Sequence, residues 1–364
     1  MASSAFETGG KRKKIRQALR CARLAAVRKL RLGVIGAGSW AVASHLPNFA
    51  RRRDEVQFVA VARHGEELLH RIEENWGFEI ASEDYRDVLD ADVDICLVSS
   101  PTAFHHEHAK AALESGAHVL VEKPLVCAFG WNFRPMVQDA KRLMDDRGIG
   151  EVEQLVVHMS SHTRELLSNR GAYPLAAAEA VPEQRTWTDP RLSGGGYGQA
   201  QLSHALGLSL WLTGLRGKDV FAYMSTVLDS PVEHYDACAL RFTNGAIGTM
   251  AGGSAHLGYG DNKNELAMRA IGSEGHLACD LQRELVWLYR AGGEDVRLPV
   301  REGDGVYDCD GPPNALVDLA LGKGVRNWAP GELGARTVEI LDAAYRSAAT
   351  GKAEPVASCQ TRAS

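Results

Sequence analysis

No apolar run in this sequence approaches the roughly 18–20 residues that a membrane-spanning helix needs, the longest being of strand length, so no membrane partner is expected. No C-x-x-C pair occurs either. The seven cysteines, Cys21, Cys96, Cys127, Cys238, Cys279, Cys309 and Cys359, are odd in number and scattered, which points to free thiols in a reducing, cytoplasmic setting rather than a disulfide framework. Neither sign of charge dominates: 41 Lys and Arg against 46 Asp and Glu leave −5, a balance that argues against a nucleic-acid partner. There is no internal repeat and no low-complexity linker. Acid is scarce only at the start, where Glu7 alone faces Lys11, Arg12, Lys13, Lys14, Arg16, Arg20, Arg23, Arg28 and Lys29. That basic arm, residues 1–30, reads as a solvated, partly helical extension; a transit peptide or a polyanion-binding surface are the other readings.

What is present is enough chain for two cores: 364 residues, 45% apolar and 24% charged. From Arg31 to Glu122, short β-branched runs near 31–36, 56–62, 93–99 and 118–122 alternate with helical segments at Trp40–Arg53, Glu66–Trp76 and Phe104–Ser115. This is the pattern of βαβ units around a parallel sheet. Beyond Gly150 the runs lengthen and alternate, at Val152–His162, Lys218–Leu228, His234–Phe242, Ala246–Ala255, Glu265–Ile271 and Gly275–Leu281, with turn signals such as Thr243-Asn244-Gly245 between them. They predict a mostly antiparallel sheet. Gly198–Leu212 reads as a helix, and Gly331–Ala349 as a closing helix with Gly351 just beyond. The expected class is therefore α/β: a doubly wound parallel sheet over 31–125, a second α+β domain with a large sheet over 126–355 for substrate and oligomer contacts, and a tail, 356–364.

The chemistry-bearing motifs fall at the ends of the predicted strands. Gly36-Ala37-Gly38-Ser39-Trp40-Ala41 follows the apolar run Leu32–Ile35. Gly36 permits a tight turn, Gly38 lets backbone approach a pyrophosphate, and the helix amides from Ser39 onward face the anion. The competing readings are a flavin site or an empty turn. Arg63 closes the second strand where an acid would bind the ribose of NAD, and a guanidinium there can pair with a 2′-phosphate, so NADP is favoured over NAD. His105, His106 and His108 invite a metal, but they open a helix without a second ligand cluster, so no metal site is expected. Lys123, in Glu122-Lys123-Pro124, projects toward the same crevice, where an ammonium can stabilise developing oxygen charge or relay a proton. Gly194-Gly195-Gly196-Tyr197-Gly198 reads as a flexible loop before a helix on which Gln201 and His204 share a face. An imidazole there can take a hydroxyl proton as hydride leaves carbon; a buried, hydrogen-bonded histidine is the alternative.

Three stretches, LGVIGAGSWAVASHLP, SSPTAFHHEHAKAALESGAHVLVEKPL and GGGYGQAQLSHALGLSLWLTG, resemble the Gfo/Idh/MocA family of glucose-fructose oxidoreductases and inositol dehydrogenases. The likeness covers about residues 31–352. It implies a Rossmann domain, an open sheet that mediates homo-oligomers, and reversible oxidation of a sugar, cyclitol or similar polyol with NAD(P). By position, Lys123 and His204 become the catalytic pair, and Gly36, Gly38, Ser39, Trp40, Ser100, Thr102, His105 and Glu122 become cofactor-site candidates. Asn132, Arg134 and Gln201 are candidate substrate contacts, with His256 a further polar candidate.

Two departures from the family pattern stand out. Ala200 occupies the place, four residues before His204, where many members carry an Asp; Gln201 can supply a hydrogen bond there but no charge. The crossover helix that normally follows the Lys-Pro turn is missing, so Val126–Phe133 reads as a sixth strand that begins at once, although parallel neighbours need about a dozen connecting residues. Rerouting as a loop or edge strand, a deletion, or a lost exon are the possible resolutions. Loss of that helix is expected to uncover one face of the sheet and weaken cofactor binding. A non-catalytic NAD(P)-binding sensor and, more narrowly, a glycosidase using nicotinamide transiently are the alternatives to a dehydrogenase.

Overall fold

A computed structural model of the chain describes residues 28–122, 129–146, 148–171, 185–255 and 265–357. The first sheet is five-stranded and parallel, in the order β3-β2-β1-β4-β5: β1 Leu30–Ile35, β2 Val56–Ala62, β3 Ile80–Ser82, β4 Ile95–Val98 and β5 His118–Val121. These strands are apolar on both faces because helices cover both, and Leu32, Val34, Val59, Val61, Ile95 and Leu97 have no exposed surface. All four expected strands are present. The sequence pattern passed over β3 and the short helix Tyr85–Asp90, since three residues carry no periodicity. The helix expected at Trp40–Arg53 contains a wide π-turn at Ala41–His45 before the α-helical turn Leu46–Ala50.

The sixth strand is a correction. Residues 126–128 lie outside the described residues, Gly130–Phe133 forms a 3-10 turn, and a helix, Pro135–Asp146, follows. Among the described residues β5 pairs with β4 alone. With no crossover, this run cannot reach a parallel register beside β5, and it turns instead onto residues 303–308: Trp131 Nε1 donates to the Gly305 carbonyl at 3.2 Å, and Arg134 pairs with Asp308.

The helix Gly311–Ala320, from far along the chain, lies against β4 and β5 on the face that also carries Ala41, Val42 and Phe49, opposite the face packed by Ala112 of the helix His105–Ser115, on which a right-handed crossover after β5 would also lie. Leu316, Val317 and Ala320 join Leu30, Leu32, Leu97 and Leu120 in one apolar core. Asp318 on that helix accepts from Arg52 at 2.6 Å and pairs with Lys323 at 3.1 Å, fixing the helix to the rim of the first sheet.

The second sheet has nine strands, ordered β13-β12-β11-β10-β6-β9-β8-β7-β14. In chain order they are β6 Val152–Ser161, β7 Gly217–Ser225, β8 Tyr235–Phe242, β9 Ile247–Ser254, β10 Glu265–Gly272, β11 Gly275–Asp280, β12 Leu285–Arg290, β13 Val296–Arg297 and β14 Glu354–Pro355. Every pairing is antiparallel except β6 with β9. One face packs on the helices Ser203–Thr213 and Gly331–Thr350, the latter ended by Gly351 at φ 67°. The other face exposes Val156, Tyr223, Tyr235, Ile247 and Ile271. Among the described residues the cysteines are free thiols, and no helix is long and apolar enough to cross a membrane.

Candidate active-site cleft

A cleft of about 820 Å³ runs from the end of β1 to the helix that carries His204, a size within the range of small-molecule sites. At its floor, β1 turns through Gly36 at φ +83°, where a Cβ would stand 2.3 Å from the Ser100 backbone; no side chain fits. Gly38 N donates to Gly36 O at 2.7 Å, and the space over Gly38 is open, its nearest neighbour lying 3.9 Å from where a Cβ would be. Ala41 is wholly buried, Ser39 nearly so, and Ser39 and Trp40 line the cleft. The turn has the bare backbone, open space and succeeding helical amides that a pyrophosphate requires.

Arg63 lies across this turn. It is half-buried, and its guanidinium donates to Ala37 O at 3.2 Å and His64 O at 3.1 Å, while burial pulls its pKa below the ordinary value. Arg86 and Glu83 line the same end, Glu83 accepting from Gly65 N at 2.6 Å. After β4, the loop Ser99–Thr102 is held by the histidines that had invited a metal: His105 Nε2 meets Ser100 O at 2.6 Å and His108 Nδ1 meets Ser100 Oγ at 2.9 Å. No group of side chains suited to a metal ion occurs among the described residues.

Glu122, buried at the end of β5, pairs with the buried His45 of the first π-turn and borders the cleft. Lys123 lies outside the described residues, as does His256. His204, 4% exposed, stands in the first turn of its helix with aromatic rings around it: Phe129 at 6.1 Å, Trp131 at 5.4 Å and Tyr307 at 5.4 Å between centroids, all edge-on. Gln199, Ala200 and Gln201 line the cleft beside it. Asn132 and Arg134 are placed elsewhere. Asn132 is wholly buried and donates to Trp328 O at 3.1 Å, and Arg134 is taken up by Asp308 and by the carbonyls of Gly303 at 2.7 Å and Asp304 at 3.2 Å, so both serve as staples of the turn.

The glycine run before His204, expected to be flexible, is pinned. Glu233 accepts from Gly196 N at 2.8 Å and Gly198 N at 3.0 Å, and Tyr345 Oη accepts from Gln199 N at 3.2 Å. The π-turn Gly198–Leu202 follows directly, a geometry frequent at functional sites. Sequence reasoning missed Trp131, Tyr307, Trp187, Gln199 and Glu233. The nearest local signal was the glycine run itself, since glycine marks close approach as well as freedom.

A glycine-turned βαβ sheet feeding one cleft shared with an open-sheet domain defines a dinucleotide-binding protein of the two-domain oxidoreductase type. The chain belongs to the Gfo/Idh/MocA family: residues 30–146 match the oxidoreductase family's NAD-binding Rossmann fold, and residues 137–278 match the GFO/IDH/MocA C-terminal domain. It is 35% identical over 142 residues to dTDP-3,4-didehydro-2,6-dideoxy-alpha-D-glucose 3-reductase of Streptomyces violaceoruber, covering 38% of this chain and 39% of that one. To levoglucosan dehydrogenase of Pseudarthrobacter phenanthrenivorans it is 24% identical over 270 residues, covering 61% and 65%. The chain thus spans less than two thirds of these curated relatives. The solved levoglucosan dehydrogenase complex with NADH and levoglucosan shares the fold, with a TM-score of 0.70 at 21% identity over 90% of this chain and 100% of that one.

Proposed function

We propose that this protein is an NAD(P)-dependent oxidoreductase that moves hydride between the nicotinamide and a carbinol carbon of a sugar, cyclitol or related polyol. The observation that carries the reading is one cleft reaching from the Gly36 turn to His204. Gly36, Gly38, Ser39 and Trp40 would hold the diphosphate end, and Ser100, Thr102, His105 and Glu122 would form the wall beside the ring. The dinucleotide, when bound, supplies the hydride acceptor. His204 takes the hydroxyl proton in oxidation and returns it in reduction, an imidazole titrating near neutrality in the absence of perturbation. Lys123, next after Glu122, is assigned the oxygen charge, and Gln201, eight per cent exposed at the cleft, a substrate hydrogen bond. The sugar reductase and dehydrogenase names of the relatives support the substrate class.

Arg63 favours NADP, because its guanidinium already lies over the turn where a 2′-phosphate would extend. Ala200 favours a second reading, a cofactor-binding sensor, since no carboxylate orients His204 from that position. Nicotinamide reduction with NAD or NADP across a panel of sugars and cyclitols, abolished in His204→Ala, is the expected result. Dinucleotide binding by calorimetry without turnover on any of them supports the sensor, and no binding ends both readings. Oligomerisation through the open face of the second sheet is part of the same proposal.

A further inference from the structure

Three of the four glycines ahead of His204, namely Gly195, Gly196 and Gly198, are bare because of what presses on them. A Cβ on Gly195 would stand 2.2 Å from Tyr345 Oη, one on Gly196 2.1 Å from the Glu233 carbonyl oxygen, and one on Gly198 2.8 Å from Tyr345 Oη. Both pressing residues come from distant chain: Glu233 from the loop entering β8, and Tyr345 from the helix Gly331–Thr350. Glu233 is 8% exposed. Both of its carboxylate oxygens lie 2.8 Å from Gly196 N, one accepts from Gly198 N at 3.0 Å, and the same oxygen accepts from Tyr345 Oη–H at 2.6 Å. Its main-chain carbonyl takes Tyr197 N at 3.0 Å. Burial and the neighbouring carboxylates keep the Tyr345 phenol protonated, so it donates to Glu233 while accepting from Gln199 N.

These amides open the helical segment that continues through the π-turn into Ser203–Thr213, and opening amides are the ones a helix leaves without internal acceptors. An ionised acceptor there gives the stronger, shorter class of hydrogen bond and favours the positive end of the helix dipole. Asp236, the other buried carboxyl nearby, has no hydrogen-bond partner for either oxygen among the described residues, so it does not share this duty. The clamp and the cleft share the same few residues: Gly195 and Gln199 line the cleft, as do Gln201 and His204 beyond the turn.

We propose that Glu233, together with Tyr345, is the positioning element that sets the π-turn and thereby the place of the His204 imidazole against the reacting hydroxyl. The inference rests on the reading of His204 as the acid/base. Neither residue lines the cleft; a small displacement of the imidazole is enough to matter, misplacement by about 1 Å costing up to about 100-fold in rate.

The test uses the full chain and the variants Tyr345→Phe and Glu233→Gln, which keep the side-chain volumes while removing, respectively, the phenolic bridge and the ionised acceptor. Melting curves establish folding, calorimetry measures dinucleotide binding, and kcat, KM and the pH–rate profile are compared with wild type. Expected are folded variants that bind dinucleotide as wild type does, with kcat for polyol oxidation lowered about 10- to 100-fold and the low-pH limb of the profile, where the base is protonated, displaced. Unchanged kcat and profile in folded variants overturn the proposal and leave the clamp a structural feature. If wild type turns over no polyol, the activity assignment fails separately. The His204 imidazole titration, followed by NMR with labelled histidine, then decides: displaced in Glu233→Gln it upholds the positioning, coincident with wild type it overturns it.

Discussion

Arg63 stands where β2 ends, and its hydrogen bonds to Ala37 O and His64 O spread the guanidinium over the glycine turn. A carboxylate in that place would repel a 2′-phosphate, whereas the guanidinium offers it paired donors. Arg63→Ala is expected to weaken NADPH binding by about 10-fold or more while changing NADH binding little, as read by calorimetry, an order set by one lost charge-assisted contact. Equal losses for both dinucleotides would remove the NADP preference.

Asp236 makes a second prediction at this scale. Burial first, and the nearby Glu233 second, push its carboxyl well above the ordinary 3.8. Below that ordinary value both folded and unfolded chains hold the proton, and its contribution is complete. As pH rises, the unfolded chain loses its proton first, so stability falls until the folded carboxyl also ionises. As pH rises above about 4, the melting temperature of wild type should therefore decline more than that of Asp236→Asn, which has no carboxyl to ionise. Parallel curves would show that this carboxyl is not linked to folding. At the same scale, Gly36, Ser100 and His204 were legible because each obeys local chemistry: a turn, a strand end, a helix start. Trp131 was hidden inside a run that looks like a strand, and Tyr307 and Glu233 act only through contacts made by distant chain.

Among elements, the helix Gly311–Ala320 carries the largest consequence. It covers β4 and β5 on the face shared with Val42 and Phe49, entering the core beside Leu97 and Leu120. Leu316, 7% exposed, is its anchor, and Leu316→Ala should cost about 2–5 kcal/mol, with hydrogen exchange accelerated in β4 and β5 before the second sheet. Uniform acceleration across both sheets would contradict that placement. The sequence pattern passed over this helix, which opens on Gly311-Pro312-Pro313, and nothing local says which of two sheets it will cover. Of the run read as a strand, the described Gly130–Phe133 forms a turn for a related reason: β-propensity is a fit to a neighbouring surface, and without a crossover no parallel register beside β5 can be reached.

For the whole molecule, the open face of the second sheet is the outstanding feature. Tyr223 is 70% exposed and Ile247 55%, with Val156, Ile271 and Tyr235 on the same sheet. The proposed oligomer would bury these exposed apolar side chains, and a closed symmetric pair is the simplest way to cover them. Light scattering on a sizing column should find an oligomer, converted to monomer in Ile247→Glu with dinucleotide affinity preserved. A monomeric wild type at micromolar concentration would sink the oligomer proposal.

Sequence by itself determined the two sheets, the dinucleotide turn and the helix start bearing His204, because strand alternation, glycine turns and helix entry are fixed within a few neighbouring residues. Tertiary structure alone decided what covers β4 and β5, what surrounds His204 with aromatic rings, and which carboxylate grips the glycine run. Those depend on residues from 37 to about two hundred positions apart meeting in space, and no local preference specifies such a meeting.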